Sequence, residues 1–415
     1  MINKIIIGLA LFFSLISFAQ EGTSSPYSFY GIGDVRFKGT TENQSMGGLS
    51  VLNDSIHLNM QNPASYASLK LTSFAIAGTF SATKLHTYSQ DDKAQRTTLN
   101  YLAIAIPVKK FGFGFGLIPY SSVGYKIQNT TSDGIYQNIY RGKGGINKVY
   151  VGFGYKITKK LNLGADIQYN FGQIKTTSIS LNKYSQFGSR EVNTSDASGV
   201  NLNIGLTHQT KITKKLSLFS SLTFAPQANL NLSNKRVIST VQYNGGIENT
   251  IENTKDLDVP KTKLSLPSKF TFGIGVGELK KWSIGTEVTF QNNSGFANRF
   301  NDITNVTYTN ATKISIGGFY IPKANSFSGY FKRVVYRGGF RYENTGLVIN
   351  NQTIKDQAFT LGLGMPLRGT FSNINIGAEI GQRGTVLGGL IRENYANISI
   401  GLSLNDLWFQ KRKYD

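Results

Sequence analysis

The stretch Lys109-Lys110-Phe111-Gly112-Phe113-Gly114-Phe115 decides the class of fold. A short basic turn is followed by apolar residues at every second position, which is the period of a β-strand with one apolar face. The same element returns at Lys159-Lys160-Leu161, at Lys214-Lys215-Leu216 and at Lys280-Lys281-Trp282. Segments of about ten residues with this alternation are typical of transmembrane β-barrels. The uneven length of the intervening segments argues against a solenoid.

The composition supports an all-β membrane protein. The chain has 45 Gly, 27 Phe and 21 Tyr but only 9 Pro, and 16% of its residues are charged. No stretch shows the 3.6-residue apolar period of a helix. We therefore predict a transmembrane up-and-down antiparallel β-barrel of about 14 strands, an even number as single-chain bacterial barrels have. The predicted strands lie near 71–82, 97–108, 110–121, 148–157, 160–173, 198–210, 215–231, 261–276, 281–292, 312–321, 331–343, 354–366, 371–382 and 395–408.

The predicted connections alternate strictly between short and long. The long ones are rich in Asn, Ser, Thr and Gly and span 83–96, 122–147, 174–197, 232–260 and 293–311. Bacterial outer-membrane barrels have short periplasmic turns and longer extracellular loops. The pattern thus predicts that the double-lysine turns face the periplasm, and a soluble β-sandwich would have no reason to follow it.

The N-terminus predicts export. One lysine, an apolar run from Ile5 to Ile16 and the small residues Ser17 and Ala19 form a secretory signal, and the run is too short for a membrane helix. We predict a signal peptide at 1–19, a hatch or plug at 20–70, a barrel at 71–409 and a basic tail at 410–415. The chain has no Cys, which excludes disulfides and thiolate metal sites.

Residues 20–70 are broken by Gly, Pro and Asn and do not alternate like wall strands. They contain Ser25-Pro26-Tyr27-Ser28, Met46-Gly47-Gly48 and Asn62-Pro63-Ala64. With the signal and the strand count, these motifs resemble the FadL/OmpP1/TodX family of outer-membrane hydrophobic-compound transporters. The first motif and the ending Trp408-Phe409 resemble its Bacteroidetes branch. The resemblance implies that this segment is a hatch in the lumen that gates passage.

The candidate hatch and gating residues are Met46, Gly47, Gly48, Asn62, Pro63 and Ala64. An alternative is that Asn-Pro marks only a turn before the first strand. The runs Gly112, Gly114, Gly116 and Gly273, Gly275, Gly277 could be mistaken for phosphate-binding loops, but no helix follows either run. We expect these glycines to relieve crowding where the wall faces the plug.

Charge and histidine content bear on two other classes of function. The formal net charge is +21, but the lysines are spread over turns and loops, which favours contact with outer-membrane lipid headgroups over nucleic acid. The three histidines His57, His86 and His208 stand in no motif with Ser and a carboxylate. The sequence predicts no catalysis, no cofactor and no transition-metal site.

Two functions fit this architecture. The first is passive uptake of a fatty-acid-like or other apolar ligand, with Phe29, Tyr30, Leu49 and Met60 lining an apolar pocket, although these residues could simply pack the plug. The second is a non-transporting accessory or scaffold barrel bound to other outer-membrane proteins in a BAM-type assembly machine or a secretion machine. Fold alone does not separate them. An apolar cavity would favour transport, whereas a closed lumen would favour the scaffold.

Overall fold

The computed structural model describes residues 22–35, 37, 39–52, 54–131, 133–244, 247–293, 295–296, 305–326 and 329–407. The predicted signal peptide, the motif Trp408-Phe409 and the basic tail lie outside the described residues. No described helix is long and apolar enough to cross a membrane.

Within these ranges the chain forms one closed antiparallel β-barrel of 14 strands, as predicted. Three of the strands are interrupted by bulges or short breaks. The strands are β1 (Thr72–His86), β2 (Asp91–Val108), β3 (Phe111–Thr130), β4 (Tyr136–Lys156), β5 (Leu161–Asn182), β6 (Phe187–Lys211), β7 (Leu216–Ala225 and Ala228–Asn244), β8 (Ile247–Asp258, Thr262–Leu266 and Ser268–Glu278), β9 (Trp282–Asn292), β10 (Val306–Tyr308 and Ala311–Tyr320), β11 (Val335–Ile349), β12 (Gln352–Pro366), β13 (Asn373–Arg383) and β14 (Arg392–Asp406).

The barrel closes between its last and first strands. β14 pairs with β1 over its whole length, from Arg392 opposite His86 to Asp406 opposite Thr72. Closure leaves no sheet edge with unpaired backbone groups, which is what a sheet in lipid requires. The chain is therefore an outer-membrane β-barrel in architecture.

The two faces of each strand differ as the alternation predicts. On β4, Val151 and Phe153 are exposed on the outer face, while Gly152 and Gly154 face inward. On β14, Ile398, Ile400 and Leu404 are exposed, whereas Ser399 and Ser403 are buried inside. The outer face carries a continuous apolar band and the inner face is lined by Gly, Ser, Thr, Asn and charged residues.

The predicted long loops are wrong in most of their length. Residues assigned to loops at 83–96, 122–147, 174–197 and 232–260 mostly continue the strands. The strands that they join end and begin at His86 and Asp91, at Thr130 and Tyr136, at Asn182 and Phe187, and at Asn244 and Ile247. The polar composition marks strand extensions that project beyond the membrane, where both faces meet water and no apolar face is needed.

The strict alternation of short and long connections is also wrong beyond β9. The connection 321–334 lies on the side of the double-lysine turns and is long enough to hold a 3₁₀ helix at Tyr330–Lys332. On the opposite side, β11 and β12 meet in a tight turn with Asn350 and Asn351 both at positive φ. Asn tolerates this left-handed conformation well, so a two-residue hairpin forms where a long loop was expected.

The N-terminal segment, residues 22–71, contains only short elements. These are a 3₁₀ helix at Pro26–Phe29, a two-residue strand Asp34–Val35, the helix α1 at Thr41–Gln44 and a 3₁₀ helix at Pro63–Ser68. The short strand pairs with Ser121 and Ser122 of β3. The other elements pack against inward-facing residues of β2 to β6 and of β12 to β14.

Candidate functional site

The motif Asn62-Pro63-Ala64 starts the 3₁₀ helix that docks on β4 to β6. Asn62 is fully buried and caps this helix, its Oδ1 accepting a hydrogen bond from the Ala64 N–H at 3.1 Å. Its Nδ2 donates to the Leu206 carbonyl oxygen on β6 at 3.1 Å. Pro63 occupies the first helical position, where its missing N–H leaves no bond unmade. One side chain therefore both caps the helix and joins it to the wall.

Three wall glycines make room for this helix. A Cβ at Gly164 would lie 2.5 Å from the Pro63 carbonyl carbon, and a Cβ at Gly154 would lie 2.7 Å from the Pro63 oxygen. At Gly205 a Cβ would overlap the Asn62 side chain. Because backbone atoms cannot rotate away, a side chain at Gly154 or Gly164 would push the helix off the wall.

Four of the six glycines in the two runs relieve crowding between the wall and the N-terminal segment, as predicted. A Cβ at Gly112 or Gly114 would collide with Tyr66, and at Gly273 or Gly275 it would lie 2.8 Å from Val51 or Leu52 of the N-terminal segment. Gly116 and Gly277 instead face neighbouring strands. Their substitution would disturb the wall rather than the segment.

Met46-Gly47-Gly48 forms a second contact, on β10 to β12. Gly47 and Gly48 follow α1 at φ values of 70° and 88°, a left-handed conformation that glycine adopts readily at helix ends. The Gly47 N–H donates to Thr360 Oγ1 at 2.9 Å. The Met46 carbonyl group packs where a Cβ would stand on Gly317 or Gly339.

The two contacts lie on opposite sides of the barrel. The Asn62 contact involves β4, β5 and β6, and the Met46 contact involves β10, β11 and β12. In the closed barrel of 14 strands the midpoints, β5 and β11, have five strands between them on one side and seven on the other. Residues 46–64 therefore reach both walls, and these two contacts are called the Asn62 anchor and the Met46 anchor below.

Charged side chains add a third set of contacts, on β9 and β11 to β14. Arg341 pairs with Glu379 at 2.7 Å and with Asp356 at 3.2 Å, all three on the wall. Gln44 of the N-terminal segment donates to Glu379 at 2.8 Å, and Arg383 of the wall pairs with Asp34 at 2.6 Å.

Two further wall carboxylates accept hydrogen bonds from the segment. Glu287 accepts from the Ser50 N–H at 2.9 Å and from its hydroxyl at 2.6 Å, and Glu393 accepts from the Ser25 hydroxyl. Sequence reasoning missed these residues, although inward charges among alternating apolar positions, as at Glu379, were a signal.

A separate pair lies in the N-terminal segment itself. His57 Nδ1 is 2.6 Å from Asp54 Oδ2, and Glu42 lies 3.9 Å from His57 Nε2. Desolvation opposes both charges, but the pairing outweighs it: Asp54 raises the pKa of His57, and His57 lowers the pKa of Asp54 to about 2. The pair is thus held in its charged form at mildly acid pH.

The interior contains a cavity of about 890 Å³ between the segment and the wall. Tyr30 and Met60 line it, whereas Phe29 and Leu49 do not. The four predicted pocket residues lie in four different apolar clusters, so they share no single pocket. Charged wall residues also line the cavity, namely Lys148, Lys269, Lys313, Arg341, Arg383, Glu287, Glu343, Asp356, Glu379 and Glu393.

The histidines are held by different neighbours. His57 and His86 each contact an aspartate, and His208 Nδ1 lies 3.4 Å from the Ser220 hydroxyl on the outer face of the wall. Among the residues described, no cluster of three or more His, Asp or Glu has the arrangement of a metal site.

Several solved structures share this fold. The Pseudomonas putida toluene transporter TodX matches with a TM-score of 0.61 and 17% identity, covering 90% of this chain and 98% of that one. The Ralstonia pickettii toluene transporter TbuX matches with a TM-score of 0.61 and 14% identity, over 89% and 99% of the two chains. A Pseudomonas aeruginosa FadL homologue gives a TM-score of 0.59 at 13% identity, over 89% and 98%.

At such identities the likeness establishes the fold alone, and it confirms the predicted FadL/TodX-like architecture. The Bacteroidetes origin stays a prediction. No curated protein matches the sequence. The model of one protein family, BamG, matches residues 1–415. The chain therefore belongs to the BamG family.

Proposed function

We propose that this chain is a plugged outer-membrane barrel that serves as a non-transporting accessory subunit of a BAM-type protein assembly machine. The observation that carries the proposal is that the N-terminal segment is bound to opposite sides of the wall, through the Asn62 anchor and the Met46 anchor. A segment bound in this way crosses the lumen from one wall to the other. Membership of the BamG family over the whole chain supports the accessory role.

The chemistry of the cavity favours this role over a passage for apolar molecules. An apolar solute entering the cavity would displace water from charged groups that line it, such as Lys269, Lys313 and Glu343. Removing water from charged groups costs several kcal/mol each unless new partners replace it, and an apolar solute offers none.

In this proposal residues 20–70 are a plug, and the predicted gating residues hold it in place. Asn62, Pro63 and Ala64 fix one side and Met46, Gly47 and Gly48 fix the other. Two charged residues of β13, Arg383 and Glu379, complete the attachment through Asp34 and Gln44. Opening such a plug would require several hydrogen bonds and an ion pair to break together, which favours a permanent closure.

The proposal is tested by removing the protein from cells. In the absence of this chain, we expect the amounts of other outer-membrane barrels to fall, while uptake of toluene and of long-chain fatty acids stays unchanged. Expression of the wild-type chain should restore the barrels. Loss of uptake with unchanged barrel levels would contradict the accessory role.

A second candidate is passive uptake of small apolar compounds. It is favoured by the fold shared with the toluene transporters TbuX and TodX. It is also favoured by an aromatic group in which Phe29 meets Tyr125 and Tyr140 with ring centroids 5.2 and 6.3 Å apart. Under this candidate, Asn62→Ala would change toluene uptake and leave the amounts of other barrels unaltered. The uptake assay above therefore separates the two functions.

A further inference from the structure

A groove of about 690 Å³ runs over the outer face of the wall from β11 across β12, β13, β14 and β1 to β2. It lies in the half of the barrel opposite the double-lysine turns. Under the predicted orientation this is the half that crosses the outer leaflet. Its side chains lie on the outer face, away from the anchors, and only the backbone of Phe340 also contacts the N-terminal segment, at Gly47.

Strand register divides the groove into an apolar row and a polar row. Each residue in a row stands opposite the next one on the neighbouring strand. The apolar row is Phe340, Phe359, Ile380, Ala396 and Ala82, and it ends on β2 at the polar residue Gln95. The polar row, one outward position further from the double-lysine turns, is Gln357, Gln382, Asn394, Lys84 and Lys93. The groove therefore straddles the boundary between hydrocarbon and headgroup.

The side chains of the apolar row change abruptly in size along the row. Phe359 and Ile380 are 69% and 68% exposed and stand out from the wall, and Phe340 packs against Phe359 with ring centroids 4.8 Å apart. Ala396 and Ala82 follow directly on β14 and β1 and leave a depression beside this ridge. An acyl chain lying in this depression would contact Phe359 and Ile380 on one side and the two alanines beneath it.

The headgroup end of the groove is positively charged. Lys84 and Lys93 face each other across β1 and β2 and are exposed. Lys84 Nζ also pairs with Asp91 at 3.1 Å, and Asp91 contacts His86 as well. Arg392 stands opposite His86 in the next row. On this face Asp91 is thus surrounded by Lys84, Lys93, Arg392 and a histidine. A negatively charged phosphate group would balance the excess positive charge.

We propose that this groove is a binding site for an anionic lipid of the outer leaflet, one whose phosphate groups give it a net negative charge. An acyl chain lies on Ala82 and Ala396 against the Phe359 ridge. The phosphate lies beside Lys93 and Lys84, and the amides of Gln382 and Asn394 offer hydrogen-bond donors to the headgroup. The site does not depend on the function proposed above, because a transporter and an accessory barrel would both cross the outer leaflet.

The test uses the full-length protein, purified in detergent and titrated with lipid A or with phosphatidylcholine in native mass spectrometry. We expect one lipid A to bind more tightly than phosphatidylcholine. Lys93→Gln should weaken lipid A binding about fivefold, since a cation near a charged lipid contributes roughly 1 kcal/mol. Ala396→Leu should fill the floor and weaken it further without disturbing the outward apolar face.

Matched variants elsewhere separate a site from general lipid contact. Ala165→Leu changes an outward alanine on β5, and Lys183→Gln changes an exposed lysine at the turn after β5. Both should bind lipid A as the wild type does. Equal affinity for lipid A and phosphatidylcholine would overturn the proposal. So would equal losses in the groove variants and the matched variants, or no loss in any of them.

Discussion

Gly164→Ala tests whether the Asn62 anchor holds the N-terminal segment to the wall. The new Cβ would lie 2.5 Å from the Pro63 carbonyl carbon and 2.7 Å from the Ala64 Cα. Both are backbone atoms, so the 3₁₀ helix Pro63–Ser68 has to move. The overpacking costs about 1–3 kcal/mol, and loss of the bond from Asn62 to the Leu206 oxygen costs about 1 kcal/mol more.

Together these terms lower the free energy of local opening of the segment by about 2–4 kcal/mol. We expect the segment to open more often while the barrel stays folded. Amide hydrogen exchange of residues 62–69 should accelerate roughly 30- to 700-fold, since each 1.4 kcal/mol is a factor of ten. Exchange in the middle of β12 should not change, because the strands keep their own pairing.

Gly338→Ala is the matched control. Gly338 faces outward, and a Cβ there would meet only the Leu361 side chain at 3.8 Å and the Thr360 oxygen at 3.9 Å. This variant should exchange like the wild type. Unchanged exchange in Gly164→Ala would show that the helix does not pack against the wall, and the Asn62 anchor would then not hold the segment.

The lipid-facing wall, the hairpin turns and the His57–Asp54 pair each allow a further test. Ile400→Arg places a charge on the lipid face of β14 and should lower the free energy of unfolding by about 2–4 kcal/mol near the midplane, measured by denaturant titration in lipid, and a neutral result would place this face away from lipid. A cysteine at Asp133 should react with an impermeant label on intact cells and one at Lys159 should not; the reverse would invert the predicted orientation. The contribution of the His57–Asp54 pair should be full between about pH 4 and 6.5. It should be lost as the pH rises through the raised pKa of His57, or falls towards the Asp54 pKa of about 2. Exchange of residues 54–58 should reveal the alkaline loss, and His57→Gln should abolish it.

The fold could be predicted largely from local patterns. Alternation over ten residues places a strand, and the double-lysine turns separate hairpins, so the number and order of the strands agree with the structure. The extent of the strands could not be predicted in the same way. The polar residues 174–182 and 187–197 pair along β5 and β6 without an apolar face, and composition alone does not distinguish such a ladder from a loop.

The candidate site was predictable on one side only. Asn62, Pro63 and Ala64 attract attention in the sequence because Asn-Pro is a turn signal. Their partners Gly154, Gly164 and Leu206 lie on three strands far along the chain, and only closure of the barrel brings them together. The charged group around Arg341 and Glu379 likewise depends on register across β11 to β13.

The most direct measurement of the proposed function is gentle purification of the wild-type protein from native outer membranes, with quantification of co-purifying proteins and of extracted apolar compounds. We expect stoichiometric amounts of the central barrel of an outer-membrane assembly machine, unchanged in Gly338→Ala, and no apolar compound retained in the lumen. Recovery of the barrel alone, carrying an apolar compound whose retention is lost in Asn62→Ala, would contradict the account and establish transport instead.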